Sequence, residues 1–200
     1  MLRPEHRQRG VSLIELMIGL GIVAVLFAAG APSFKSWVQS NQIRNATEEI
    51  QAGLNLARAE AVRRNTAVSF ILGAGSAWTV GCASPVADLD GDGAADCPAT
   101  IQARPAPASV NTVIQTSELV AVTNAAATTP VFTSTLAFNG VGRVGAGLPA
   151  GNKAVFNISN PTGGACASAG PMRCMRVVVS SGGQIRMCDP ALASADPQGC

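Results

Sequence analysis

The feature that most constrains this chain is an apolar run that contains a single charge. Residues 11–31 read VSLIELMIGLGIVAVLFAAGA, and Glu15 is the one charged side chain among them. A helix of about 20 residues crosses a hydrocarbon core of roughly 30 Å. A carboxylate inside a membrane helix costs on the order of 3 kcal/mol, so we expect Glu15 to have a cationic partner. Cleavage after Gly10 would create one, the amino group of Val11.

Two other interpretations of this segment remain open. An ordinary signal peptide would be cut after residue 31, but its apolar region normally spans only about 7 to 15 residues. Its basic end would consist of Arg3, Arg7 and Arg9. A permanent single-pass anchor would keep those basic residues in the cytoplasm. Such an anchor gives Glu15 no role and does not explain why Gly10 and Glu15 occur together.

Removal of residues 1–10 changes the composition that bears on function. The segment holds three arginines, Glu5 and His6, so the remainder keeps eleven of the fourteen basic and eleven of the twelve acidic side chains. That remainder is formally neutral and contains no histidine and no tyrosine. His-based catalytic triads and histidine metal sites are therefore excluded, and we find no paired-carboxylate or nucleophile motif. We expect no enzymatic activity.

An amphipathic pattern continues directly from the apolar run. Apolar residues recur mostly four positions apart, with charged residues elsewhere on the helical wheel. They are Phe34, Val38, Ala46, Ile50, Leu54, Ala57 and Ala61. The two segments together predict one helix of about 55 residues, roughly 80 Å long, with a bend permitted at Pro32. We expect the stripe from Ala46 to Ala61 to seat a β domain of the same chain.

The remaining residues, 66–200, predict one β-rich domain. Turn clusters at 73–76 and 181–183 each separate two runs that favour strands. The predicted strands are residues 66–72, 77–82, 100–104, 110–122, 131–138, 154–159, 175–180 and 184–188. The expected fold class is therefore α+β, a long N-terminal helix with a membrane-embedded first half, packed on an antiparallel β-sheet domain.

The N-terminal segment resembles a type IV prepilin. In that family a basic leader ends in glycine, a membrane peptidase cuts after it and methylates the new amino terminus, and glutamate stands fifth after the cut. Gly10, Val11 and Glu15 occupy those positions, and Pro32 stands where many pilins have a helix-kinking proline. Val11 departs from the pattern, since phenylalanine is commoner there. The resemblance implies cleavage and methylation between Gly10 and Val11, and assembly through Glu15 and Pro32.

Nearly the whole chain resembles the GspH/FimT group of minor pilins and pseudopilins, which have the type IV pilin-like fold. The matching residues are Leu56 to Ala61 with Asn65, Trp78, Phe138-Asn139-Gly140, Gly142-Arg143 and the hairpin at 180–190. The resemblance implies a low-copy subunit that helps to prime or cap a type IV pilus, with an H-type pseudopilin of type II secretion as the alternative. The implied partners are other major and minor pilins or pseudopilins, prepilin peptidase and the inner membrane of a Gram-negative bacterium.

An acidic segment between two cysteines resembles the first half of a calcium loop. Alternating carboxylates followed by glycine let side-chain oxygens converge on one cation. The candidate ligands are Asp88, Asp90, Asp92, the carbonyl of Ala94, and Asp96. The bidentate glutamate expected at the twelfth position is replaced by Ala99, so any calcium affinity should be weak, about 0.1 to 1 mM. A solvated acidic turn is the alternative, and we expect no other cofactor.

All six cysteines lie beyond the apolar run, and their even number favours disulfides in an oxidising periplasm. Zinc binding is the alternative, but no C-x-x-C pair supports it. Cys82 and Cys97 would close a loop of about fifteen residues, which stabilises by roughly 3 kcal/mol. The other four cysteines allow three connectivities. Of these we favour Cys174 with Cys188 and Cys166 with Cys200.

DNA binding for natural transformation is a second alternative function. FimT-type members take part in DNA uptake and are associated with a Gly-Arg-x-Arg motif, whereas this chain reads Gly183-Gln184-Ile185-Arg186. A small basic patch could still form, although solvated surface arginines are the simpler interpretation. Its members would be Arg143, Arg173, Arg176 and Arg186. Because the processed chain is neutral, we expect DNA binding to be weak and salt-sensitive.

Overall fold

The computed structural model describes residues 12–87, 96–106, 111–120, 125–128, 132–164, 166, 172–193 and 195–200. Its first element, α1, is a single helix of 52 residues, Leu13–Arg64, which continues across Pro32 without interruption. The helix ends at Asn65, whose φ of 48° is left-handed. Asparagine tolerates this conformation because its short polar side chain bonds locally. The prediction of one long helix is confirmed.

The described residues after α1 form nine strands in two antiparallel sheets. The first sheet has the order β3-β2-β1-β5-β6, and the second has the order β4-β7-β8-β9. The strands are β1 Val68–Leu72, β2 Trp78–Cys82, β3 Gln102–Arg104, β4 Val113–Leu119, β5 Thr135–Phe138, β6 Val144–Ala146, β7 Lys153–Ser159, β8 Met175–Ser180 and β9 Ile185–Cys188. A short 3-10 helix, Pro161–Gly163, follows β7. The α+β class is confirmed, with the predicted strands divided between two sheets.

The second half of α1 packs against strands of both sheets. The stripe predicted as the seat of the domain is buried from Ala46 to Ala61, and Ile43 extends it by one turn. Burying one such large aliphatic side chain contributes about 1.5–3 kcal/mol. Phe34, in contrast, is 66% exposed. The domain therefore covers the C-terminal part of the predicted stripe and leaves its N-terminal end, at Phe34, exposed.

Gly53 allows α1 to approach two aromatic rings closely. A methyl group at this position would lie 2.8 Å from Cε2 of Phe70 and 2.9 Å from Cδ2 of Trp78. Both rings are buried, and Phe70 also packs edge-on against Phe156 at a centroid distance of 5.8 Å. Only glycine lets the helix backbone lie directly on these rings.

A side-chain hydrogen bond joins the C-terminal end of α1 to the turn between β5 and β6. Nε of Arg58 donates to the carbonyl oxygen of Gly142 at 3.1 Å. Gly142 has a φ of +76°, which a side chain would strain. The Asn139 side chain accepts hydrogen bonds from the backbone N–H groups of Val141 and Arg143, at 3.2 and 3.0 Å. The motif Asn139-Gly140-Val141-Gly142-Arg143 therefore has a structural role.

Three disulfides are present, and two of them differ from the favoured prediction. Cys82–Cys97 is confirmed. The other pairs are Cys166–Cys174 and Cys188–Cys200, so the prediction of Cys174–Cys188 and Cys166–Cys200 is wrong.

The strand register explains the correction. The β8–β9 hairpin places Cys188 opposite Arg176, two residues beyond Cys174, so no cross-strand bridge can form. A parallel bridge between Asp189 and Gly199 instead brings the C-terminal residue beside Cys188.

Candidate functional site

The first part of α1 is apolar, and none of the residues that the structure describes covers it between Ser12 and Ala31. Every side chain from Ser12 to Ala31 is exposed. The most hydrophobic window of α1 has a mean hydropathy of 2.4, and by length and composition the helix could cross a membrane. Exposed apolar surface on this scale marks a membrane or protein interface. The exposed large side chains of this segment are Leu13, Ile14, Leu16, Met17, Ile18, Leu20, Ile22, Val23, Val25, Leu26 and Phe27.

Glu15 lies in the first turn of this apolar half. The unsatisfied N–H groups of a first helical turn favour a carboxylate by about 0.3–1 kcal/mol. No other charged residue of the helix occurs before Lys35. Gly10 and Val11, where cleavage and methylation are predicted, lie outside the described residues. Pro32 lies within the continuous helix, and its side chain is outside the description.

Burial changes abruptly a little beyond Pro32. Among the side chains that the structure describes, Gln39 is the first that is buried, at 7% exposure. Immediately before it, the rings of Phe34 and Trp37 pack together at a centroid distance of 5.9 Å and remain largely exposed. The chain is thus divided between an uncovered apolar half-helix and a folded domain, with an aromatic pair at the boundary.

The structure brings only two of the four predicted DNA-binding arginines together. Arg176 and Arg186 line one groove of about 350 Å³ on the second sheet, together with Lys153 and Gln184. Arg173 lines a separate groove of about 400 Å³ beside α1. Arg143 lies in the turn before β6 and is exposed. The predicted four-arginine patch is therefore split.

Both arginines of the groove already have hydrogen-bond acceptors. Nε of Arg176 donates to Oδ1 of Asn157 at 2.6 Å. Arg186 donates to the carbonyl oxygens of Gly199 at 2.5 Å and Pro197 at 3.3 Å, which ties the C-terminal segment to β9. Lys153 was not predicted as a member of this site. Its position at the start of β7 becomes informative only once the strand order places it near β8 and β9.

The predicted calcium ligands Asp88, Asp90, Asp92 and Ala94 lie outside the described residues. Asp96 is described, and its carbonyl oxygen accepts a hydrogen bond from the Arg64 guanidinium. In the parts of the chain that the structure covers, no three Asp, Glu, His or Cys side chains form a metal-ligand group. The calcium site stays a prediction.

An ion-pair cluster lies where Arg64 meets this loop. Glu60 accepts a hydrogen bond from Arg63 at 2.6 Å and from Arg64 at 2.8 Å. These interactions, with the bond from Arg63 the largest, hold the pKa of the Glu60 carboxyl below its usual range, although burial opposes them. The cluster therefore links the end of α1 to the loop closed by Cys82 and Cys97.

Comparison with solved structures gives two similar chains, both of the type IV minor pilin FimU of Pseudomonas aeruginosa. The first, from a P21 crystal form, is 18% identical, covers 82% of this chain and 98% of its own, and has a TM-score of 0.48. The second, from a P65 crystal form, is also 18% identical, covers 78% and 98%, and has a TM-score of 0.45. Comparison with curated proteins gives no match.

Two family models match this sequence. The prokaryotic N-terminal methylation motif matches residues 6–31, which include the predicted cleavage point and Glu15. The model described as type II transport protein GspH matches residues 46–183, about two thirds of the chain. The second match spans the buried half of α1 and nearly all the strands. The chain therefore belongs to the GspH family of pilins and pseudopilins and carries the family's N-terminal cleavage and methylation motif.

Proposed function

We propose that this chain is a minor pilin that helps to initiate or cap a type IV pilus. The observation that carries the proposal is the division of α1 into two halves. Every side chain from Ser12 to Ala31 is exposed, whereas the second half of the helix contributes to the core of a disulfide-bonded domain. A subunit that is held first by a membrane and later by neighbouring subunits needs this division. Members of the family are structural subunits, and the chain acts by assembly.

Glu15 is the residue through which we propose that the subunit joins the filament. An unpaired carboxylate in an apolar bundle is costly, and removing its partner leaves a buried charge. The amino group created at Val11 would stand four residues upstream, a spacing at which residues of a helix meet. Pairing of Glu15 with the Val11 amine of the same or an adjacent subunit satisfies both charges.

The test is to replace Glu15→Ala in the native host. The variant should be inserted and processed normally, yet should be absent from sheared filaments, because it no longer pairs with an incoming amine. Glu48→Ala is the matched control. Glu48 lies on the same helix above the apolar half, and its side chain is 58% exposed and 3.7 Å from Arg44. Normal incorporation of Glu15→Ala would contradict the pairing role.

An H-type minor pseudopilin of type II secretion is the close alternative. The matching family model is described as a type II transport protein. Deletion of the gene separates the two. The pilin proposal expects fewer surface pili and unchanged secretion of folded proteins. Lost secretion with normal piliation would support the pseudopilin instead.

DNA binding is a second candidate, favoured by one observation. Gln184, which stands where the FimT motif has arginine, is exposed and lines the same groove as Arg176 and Arg186. Each phosphate contact adds about 0.9 to the slope of log affinity against log salt, so two or three cations should give a slope of about 2 to 3. The substitution Gln184→Arg should strengthen binding and steepen that slope.

The matched control for this test is Arg173→Gln, which removes a cation from the separate groove. It should leave the affinity nearly unchanged, whereas Arg176→Gln should lower it. An anisotropy titration of the purified domain at two salt concentrations measures both effects. Sub-micromolar binding by the unaltered chain at physiological salt would place DNA uptake ahead of pilus assembly.

A further inference from the structure

Phe34 and Trp37 form an exposed aromatic pair on α1. Phe34 is 66% and Trp37 is 62% exposed, although both adjoin the buried half of the helix. Lys35 stands between them and is also exposed. Of the described residues beyond α1, only Asn111 lines the groove beside this patch of large apolar and cationic side chains, which stays exposed. Its chemistry is that of a membrane–water interface, where the ring of a tryptophan is buried and its N–H stays wet.

The spacing of the two charges of the lower helix matches one bilayer. Glu15 and Lys35 are twenty residues apart, and no charged residue stands between them. At a rise of 1.5 Å per residue this separation is about 30 Å, the thickness of a hydrocarbon core. A typical tilt of about 20° shortens it by only about 2 Å. Both charges can therefore lie at opposite edges of the same bilayer.

We propose that Phe34, Lys35 and Trp37 form an interfacial anchor that seats on the outer lipid headgroups of the inner membrane. The anchor places Glu15 at the opposite, cytoplasmic edge of the hydrocarbon core. This inference rests on the membrane insertion that the proposed function requires.

A deeper or a shallower position of the helix in the bilayer is disfavoured, because either one would move a charge into hydrocarbon. If the helix sank by one turn, Lys35 would enter hydrocarbon, where a charged side chain is unfavourable. If it rose by one turn, Glu15 would enter the hydrocarbon core, which is equally unfavourable for a charge, and Phe34 would leave the interface. The domain sets a third limit, since burial against the sheets begins at Gln39, two residues above Trp37. The three constraints agree on one depth.

A consequence concerns the carboxylate used in assembly. At the cytoplasmic edge, Glu15 keeps water and headgroup partners until a subunit is extracted into the filament. The anchor therefore makes the membrane-bound state of the charged Glu15 less unfavourable. It also holds the amino terminus at the surface of the cytoplasmic leaflet. Before cleavage, Arg3, Arg7 and Arg9 of the leader favour the same orientation.

Tryptophan fluorescence of the full chain tests this depth directly. The sequence contains two tryptophans and no tyrosine, and the second tryptophan, Trp78, is only 4% exposed within the core. The emission of Trp37 is obtained by subtracting the spectrum of Trp37→Phe, which retains Trp78 alone. The processed chain is reconstituted into vesicles of phosphatidylethanolamine and phosphatidylglycerol whose acyl chains carry bromine either near the headgroup or near the chain end.

We expect Trp37 to lose more emission to bromine near the headgroup than to bromine near the chain end. Lys35→Leu should let the helix sink and should increase quenching by the deep bromine, while Lys35→Arg should preserve the original profile. Stronger quenching by the deep bromine in the unaltered chain would overturn the anchor. Quenching by aqueous iodide without quenching by either lipid would also overturn it.

Two further outcomes separate the anchor from competing explanations. Emission that changes with the protein-to-lipid ratio, without bromine quenching, would mean that a second copy of the chain covers Trp37, which also overturns the anchor. Flotation with the vesicles is measured in parallel. A chain that does not float contradicts both the anchor and the membrane step of the proposed function. A chain that floats but shows the wrong quenching profile contradicts the anchor alone.

Discussion

The contact of α1 with Phe70 and Trp78 predicts that Gly53→Ala destabilises the domain, which is opposite to the usual effect of this substitution in a helix. Replacing a helical glycine with alanine normally stabilises by about 1 kcal/mol. At Gly53, however, the added methyl would lie 2.8 Å from Phe70 and 2.9 Å from Trp78. Carbon atoms prefer about 3.5–4.0 Å, so both rings must move by about 0.6–0.7 Å or more. They cannot swing into solvent, because Phe70 is 0% and Trp78 is 4% exposed.

Overpacking of this kind costs about 1–3 kcal/mol, and rings held on both sides belong in the upper part of that range. After the gain in helix propensity, Gly53→Ala should lose about 1–2 kcal/mol net. For a domain of this length the loss lowers Tm by about 2–8 °C. The assay is thermal unfolding of the domain that begins at Ser33, which retains all of the described core. Gly53→Val should lower Tm further.

The matched control is the adjacent substitution Ala52→Gly. Ala52 is exposed, so this change loses only helix propensity, about 1 kcal/mol. If propensity alone mattered, the two substitutions would have opposite signs. The close approach of the helix to the rings requires that both lower Tm. A Tm that rises in Gly53→Ala would refute the reasoning.

Three further predictions concern the loop region. Replacing Cys82 and Cys97 by alanine together should cost about 3 kcal/mol, measured by denaturant unfolding, because their bond closes a fifteen-residue loop. Glu60→Gln should lower Tm, because the depressed pKa of Glu60 shows that its charged form stabilises the folded protein. The difference in Tm should be present above the ordinary pKa of 4.5 and should vanish as pH falls through the lower folded value. Millimolar calcium should raise Tm through linkage, and Asp90→Ala with Asp92→Ala should abolish that rise; an unchanged Tm would leave a solvated acidic turn.

Most of this fold can be predicted because the patterns that specify the helix and most strands lie within short segments of the sequence. The periodicity of α1 extends over many turns, and the strands are bounded by glycine turns such as Ser181-Gly182-Gly183, where Gly183 donates to Ser180 at 2.8 Å. Strand β6 is not predicted, since Val144-Gly145-Ala146 has little β propensity. Pairing with β5 and a hydrogen bond from Val144 to Ser181 hold it in place. Those are tertiary contacts that no short window contains.

The site divides in the same way between local and tertiary information. Glu15 and its apolar surroundings can be identified because their signal is a fixed spacing along one helix. The pairing of the last four cysteines cannot, because it depends on hairpin register and on the return of the C-terminal segment to Cys188. The basic groove likewise depends on strand order, which brings Lys153 near Arg176 and leaves Arg173 on another surface.

The most direct test of the central claim is the amino terminus of the chain extracted from membranes. Intact-mass measurement with N-terminal sequencing should give a chain that begins at Val11 and carries a methylated amine. That result would provide Glu15 with the cationic partner on which the assembly proposal depends. A chain that begins at Pro32 would show an ordinary signal peptide, and a chain that retains Met1 would show a simple anchor. Either of these results would contradict the claim that the protein is a processed pilin subunit.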